Sequence, residues 1–302
     1  MSIIKYRKIW YAVSGLFVLA SVFSIFYFGL NYGIDFTGGS LVEIEYQNAR
    51  PDVSVIKREL SGIGMENAVV QPTGEKGLII RSKNLTNEEH QKLLSALRAA
   101  DEKKESELSE LRFDSIGPVI GKELRQKSWI AVVLVILMII LYIAFVFRGV
   151  SKPVSSFKYG LVAIVALFHD VMIPFGAFAV FGKYFGAEVD VLFVTALLTI
   201  LGFSVHDTIV VFDRVRENLR KKIGSDFEET VGISVKETIT RSINTSLTVL
   251  LVLGAIFFFG GETTKFFSLA LIIGVAAGTY SSVFIASPLM VTIYKLQQKR
   301  KK

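Results

Sequence analysis

Six apolar runs, each about as long as a helix needs to cross a bilayer, limit this chain more than any other feature of its sequence. They lie near residues 10–30, 128–147, 158–181, 190–212, 242–260 and 266–294. The fifth is short of the roughly 20 residues a crossing requires and draws on residues upstream of it. Hydrophobic residues make up 51% of the 302. The expectation is an α-helical polytopic membrane protein with six transmembrane helices.

Basic residues set the orientation. Lys5, Arg7 and Lys8 precede the first run, Arg148, Lys152 and Lys158 separate the second from the third, and lysine and arginine are dense again after the fourth run and in the tail. The two short loops of opposite side hold only Lys183 and Lys265. By the positive-inside rule the N-terminus (1–9), the loop 213–241 and the basic tail (295–302) are cytoplasmic, so the segment 31–127 between helix 1 (10–30) and helices 2–6 (128–294) is exported. The net charge of +7 therefore sits beside the membrane, where anionic headgroups attract it, and gives no reason to expect nucleic acid. The MSIIKYRK start has no small-residue cleavage site after its apolar run and reads as an uncleaved anchor. No cysteine is present, which excludes disulfides and thiolate chemistry.

Within 31–127 the periodicity changes. SLVEIEY (40–46) alternates as a strand, and PDVSVIKREL sets Val53, Ile56 and Leu60 on one helical face behind Pro51. AVVQ and GLIIR are two short strands around the turn residues Pro72, Thr73 and Gly74. TNEEHQKLLSALRAADEKK opens with Thr86 and Glu89 at capping-box spacing and carries Leu93, Leu97 and Ala100 on one face. ELRFDSI closes as a strand. The order β-α-β-β-α-β predicts a small α+β ferredoxin-like domain. His90 stands by itself on the second helix and is expected to be solvated. GPVIGKE (117–123) is a poor phosphate loop, one residue short and with Glu123 where a magnesium-binding hydroxyl belongs, which removes ATP hydrolysis.

The chemistry of interest lies inside the apolar runs. An aspartate at a helix centre costs roughly 2.5–3.5 kcal/mol to insert, so Asp207, in GFSVHDTIVVF, is the first candidate for an ion-handling role. A helix-gluing hydrogen bond is the bland alternative. His169 and Asp170 form a second His–Asp pair, four residues before Pro174, whose missing N–H frees the carbonyl of Asp170. That arrangement suits either a hydrated pocket or a kink with hydrogen-bonded packing. Thr199, His206 and Asp213 repeat every seven residues beside Ser204 and Asp207, and Arg241, Asn244, Thr245 and Thr248 form a stripe on the next run. If those two helices are antiparallel, Asp207 and Arg241 lie at comparable depth and can pair. Asp213, Arg214, Arg216 and Glu217 mark the cytoplasmic end, and Gly274 with Gly278 is a GxxxG helix-packing motif.

Taken together, YGIDFTGGS (32–40, with Gly38 and Gly39), GPVIGKEL, ALFHDVMIPFG, GFSVHDTIVVFDRVREN and RSINTSLTVL resemble the SecF proteins of the SecD/SecF protein-export family, which are similar in fold to half of an RND-type transporter. The likeness covers nearly the whole chain. It implies an auxiliary subunit of the Sec translocase in the inner (cytoplasmic) membrane, paired with SecD beside the SecYEG channel, with YajC and SecA nearby. Such a subunit couples the proton-motive force to late export of precursor proteins. By the resemblance Asp207 is the proton-carrying aspartate and Arg241 its partner, Asp213 and Arg214 belong to the same motif, and His206 stands where many relatives carry asparagine. No cofactor and no enzymatic activity are expected.

Two other readings compete. An intramembrane metalloenzyme would use His169, Asp170, His206 and Asp207 as ligands, although adjacent residues on a helix point about 100° apart and HExxH is absent. An RND-like exporter of lipids or small molecules would need an apolar channel lining that the small exported segment does not offer.

Overall fold

The computed structural model describes residues 2–101, 107–147 and 156–301. Their elements run α1 (Ser2–Lys5), α2 (Arg7–Phe28), α3 (Ile34–Thr37), β1 (Gly39–Tyr46), α4 (Val53–Gly62), β2 (Val69–Thr73), β3 (Gly77–Ser82), α5 (Asn87–Ala99), β4 (Leu108–Ile116), α6 (Pro118–Val146), α7 (Ser156–Phe185), α8 (Val191–Arg220), α9 (Phe227–Phe259), α10 (Glu262–Ser281), a π-turn (Ser282–Ala286) and α11 (Ser287–Lys301). Two compact units divide them, Tyr32–Trp129 and the remainder. Arg148 and Lys152 of the expected orientation signal lie outside the described residues, as does the end of the DEKK run.

In the first unit, β1 alternates as its sequence requires. Val42, Ile44 and Tyr46 are buried against Ile56 and Leu60 of α4 and Leu93 and Leu97 of α5. The four strands pair antiparallel in the order β2-β3-β1-β4, which is the split βαβ sheet. Asp52 caps α4 by accepting from the Ser54 N–H at 2.8 Å, and Thr86 and Glu89 close a reciprocal capping box on α5. His90 departs from expectation. It is buried, its ring stacks on Phe113 at 3.8 Å, and its Nε2 lies 3.1 Å from Glu110 Oε1. The reason is helical: His90 precedes Leu93 and Leu94 by three and four residues and extends their sheet-facing stripe.

Gly38 and Gly39 have φ of +75° and +134°, values that side chains with a Cβ rarely adopt. A Cβ on Gly38 would stand 2.8 Å from Pro118 Cα, and one on Gly121 2.8 Å from the Gly38 nitrogen. The glycines thus let the α3–β1 turn lie directly on the first turn of α6. This explains why α6 begins at Pro118, upstream of residue 128: proline is preorganised for a first helical position, and its helix is anchored there.

In the second unit six helices are long and apolar enough to cross a membrane: α2, α6, α7, α8, α9 and the composite of α10, π-turn and α11. Half or more of the apolar stretch of α7, α8 and the composite helix is buried, whereas α2, α6 and α9 present most of their surface outward. The segment 213–241, expected as a loop, is helical except for 221–226. Glu217 pairs with Arg214 and Lys221 at 2.6 Å along α8, Asp226 caps α9 by accepting from Glu229 N–H at 2.8 Å, and Phe212, Val215, Val231 and Val235 are buried between the helices. A charged sequence with i,i+3 and i,i+4 pairs continues a helix beyond the apolar zone.

Candidate functional site

Asp170 is fully buried where α7, α8 and α10 meet. Its Oδ2 accepts from Ser204 Oγ of α8 at 2.5 Å and from Ser281 Oγ of α10 at 2.7 Å, while Oδ1 lies 2.9 Å from Nδ1 of buried His169. Three polar partners offset the cost of a carboxylate in an apolar interior. Pro174 lies within α7 without ending it. These contacts are hydrogen-bonded packing between helices. The close approach needed for these bonds comes from small residues. A Cβ on Gly278 would lie 2.9 Å from Ser204 Cβ, one on Gly274 would strike Ile200, and Gly176 receives Ser21 of α2.

Asp207 sits three residues after Ser204 on the same face, buried, with Thr208 also buried beside it. Its electrostatic neighbours are His206 of its own helix and, from α9, Ser242 and Arg241. His206 Nδ1 is 4.0 Å from Oδ1, and its side chain is 60% exposed. Asp207 Oδ2 and the buried Ser242 Oγ are left without a hydrogen-bond partner among the described residues. The expected ion pair does not close. Arg241 lies on the exposed face of α9, and the following residue, Ser242, occupies the buried face toward α8. Asp170, by contrast, has a polar partner on each carboxyl oxygen, so the two intramembrane aspartates differ in kind: one is a joint and the other an under-satisfied carboxyl group.

At the end of α8, Asp213 is exposed and faces Arg216 at 3.9 Å, and Arg214 bridges to Glu237 of α9 at 2.7 Å. Fully buried Asn218 donates to Ser234 Oγ at 3.0 Å and Glu237 Oε2 at 2.8 Å. Arg7 meets Glu228 at 2.6 Å, and Lys295 meets the same carboxylate, tying α2, α9 and α11. The two His–Asp pairs are not brought into one site. His169 and Asp170 face Ser204, Ser281 and the Tyr280 ring at 5.9 Å, while His206 points outward. Among the described residues no group of three or more His, Cys, Asp or Glu gathers in metal-binding fashion.

Sequence reasoning missed Ser281, Ser242 and Asn218. A serine in an apolar helix carries no periodic signal until its neighbour is known. The π-turn had a signal in Pro288: without an N–H it cannot serve Phe284. The ladder there shifts so that Ser287 N–H reaches the Ser282 carbonyl, and π-turns of this kind often accompany functional sites.

Fold and site define a polytopic membrane protein whose ferredoxin-like unit follows its first span and whose spans bury two aspartates. The model of the family described as "Protein export membrane protein SecD/SecF, C-terminal" matches residues 96–296, and that of the SecD/SecF GG motif matches 23–49, which contains Gly38 and Gly39. The protein translocase subunit SecF of Thermobaculum terrenum is 43% identical over 97% of this chain and 93% of its own length. That of Anaerolinea thermophila is 39% identical over 96% and 93%. Among solved structures, the translocon-associated membrane protein SecDF of Thermus thermophilus superposes with a TM-score of 0.83 at 32% identity, over 97% of this chain and 38% of that longer one. The chain belongs to the SecD/SecF protein-export family, on its SecF side.

Proposed function

We infer that the chain is an auxiliary subunit of the Sec translocase that couples the proton-motive force to late steps of protein export. In this reading it resides in the cytoplasmic membrane with both termini inside and the unit Tyr32–Trp129 on the export side, works with SecD beside the SecYEG channel, and has no enzymatic activity. The observation that carries it is Asp207, a buried and incompletely satisfied carboxylate in a six-span protein of this family. One elementary charge crossing 100 mV releases about 2.3 kcal/mol, enough to repack helices held by single hydrogen bonds of about 0.6 kcal/mol.

The cycle then runs through charge. Protonating Asp207 removes its negative charge and its attraction for Arg241; releasing the proton restores both. Asp170 and Arg214 complete the set by holding α7, α8, α9 and α10 in register around it, and Asp213 marks the end of α8. An exposed polar stripe supports a membrane partner: Thr199, His206 and Asp213 on α8 and Arg241, Asn244 and Thr248 on α9 all face outward. Lipid is a poor solvent for such groups, and a second polytopic subunit supplies better ones. Purification in mild detergent tests the assignment, with SecD and SecYEG expected to accompany the chain; its recovery free of both, together with export that does not respond to an uncoupler, would overturn it.

A further inference from the structure

The Asp170 joint ties α7 to two neighbouring helices. Its two serines come from different helices, and each lies next to something that matters for motion. Ser204 is one turn before Asp207 on the same buried face of α8. Ser281 is the last residue of α10, directly before the π-turn Ser282–Ala286. Its hydroxyl lies within reach of two acceptors, Asp170 Oδ2 at 2.7 Å and the Gly278 carbonyl at 3.1 Å. A serine hydroxyl has one proton to donate, so it serves one acceptor fully at a time.

We propose that Ser204 and Ser281 are positioning residues for Asp207: through Asp170 they clamp α8 to α7 and α10, and so fix the depth and rotamer in which Asp207 is held. The inference rests on Asp207 being the ion-binding carboxylate. Ser204 supplies the hold on α8, and Gly278 and Gly274 bring the helices close enough for it. Ser281 supplies the release. When its proton turns from Asp170 to the Gly278 carbonyl, α10 keeps a satisfied hydroxyl but loses its tie to α7, at the point where the π-turn has already loosened the helical ladder. The titratable and polar groups that face the clamp are His169 on α7 and Tyr280 on α10, whose hydroxyl accepts from Ser14 Oγ of α2 at 3.1 Å; Asp207 follows Ser204 by three residues on α8. Among the described residues buried His169 keeps Nε2 unpartnered, and its Nδ1 contact goes to Asp170.

The test reads Asp207 itself. The full chain in membrane vesicles is treated with dicyclohexylcarbodiimide across a pH series, and modification of each aspartate is followed by peptide mass spectrometry, with Asp207→Asn as the blank. Ser204→Ala and Ser281→Ala are expected to change the rate of Asp207 modification at a given pH by about threefold, the equivalent of one interhelical hydrogen bond. Ser281→Thr, which keeps the hydroxyl, should return it to the wild-type rate. Should the alanine variants fail to accumulate in the membrane, Ser281→Cys, of similar size and weaker as a donor, carries the test, with a departure from the wild-type rate expected. Wild-type rates and an unchanged pH profile in these variants would overturn the clamp. Fully active, uncoupler-sensitive export in Asp207→Asn would overturn the coupling reading instead, and the labelling result stands independently of it.

Discussion

Gly278 of α10 lies against Ser204 of α8 so closely that a Cβ there would be 2.9 Å from the serine Cβ. One turn earlier, Gly274 lies on Ile200. Adding even a methyl group at such a contact forces side chains off their rotamers and typically costs about 1–3 kcal/mol. Gly274→Ala is expected to lower the melting temperature of the detergent-solubilised protein, and Gly278→Ala to do so while also weakening export. A wild-type melting temperature in both variants would mean that α8 and α10 are not packed this closely.

The unit Tyr32–Trp129 contains its own core, with Val42, Ile44, Ile56, Leu60, Ile80, Leu93 and Leu97 buried in one cluster. Expressed alone over about residues 35–115, it is expected to be soluble and to unfold cooperatively in urea. Leu93→Ala should cost about 2–5 kcal/mol, the range for deleting a buried leucine side chain. An aggregated product, or a transition unaffected by Leu93→Ala, would count against this core.

The cap on α5 gives that unit an acid-sensitive element. The Glu89 carboxyl is held down to about 2, first by the backbone N–H of Thr86 and then by the Lys83 and Thr86 side chains. Its folded value lies below the unfolded carboxylate value of about 4.3, so the ionised form stabilises the folded unit. The contribution is present in full above about pH 4.3 and fades as pH falls toward 2. Glu89→Gln should therefore destabilise the unit near neutral pH and match the wild type near pH 2. Melting curves of the two proteins across pH 2–7 check this, and a difference that does not change with pH would show that the charge is not involved.

Much of this was legible because period and cap chemistry are local. The strand alternation of Val42, Ile44 and Tyr46, the Thr86–Glu89 box and the apolar runs all declare themselves within a few residues. His90 misled because a histidine between polar neighbours looks solvated, although its spacing to Leu93 continues the buried stripe. The segment 213–241 misled because its charges suggested a loop, when i,i+4 pairs such as Lys221–Glu217 let a helix run on past the apolar stretch. Ser281 was out of reach for a different reason. Its partner, Asp170, is 111 residues away, and only helix packing brings them together.

His206 is outward-facing and only at the limit of ion-pair distance from Asp207. It is therefore dispensable to a cycle that runs through Asp207. His206→Asn is expected to keep most gradient-dependent export, in vesicles assayed with and without an uncoupler. A complete loss would assign the imidazole a direct part in proton transfer.

The relation of Asp207 to Arg241 tests the coupling cycle itself. The two interact electrostatically without closing an ion pair, with Ser242 on the intervening buried face. Such a pair can be made and broken by a proton. Asp207→Asn should insert normally, because removing a buried charge lowers the insertion cost, yet lose the stimulation of export by the proton gradient. Arg241→Met should lose it too, since the carboxylate then has no cation to part from and return to. If both residues serve one cycle, the double variant should be no worse than either single one, because each already disables the same step. Precursor export measured with and without an uncoupler in all four proteins decides the matter. A fully active, uncoupler-sensitive Asp207→Asn would remove Asp207 from the mechanism, and additive losses in the double variant would separate the two residues into independent roles.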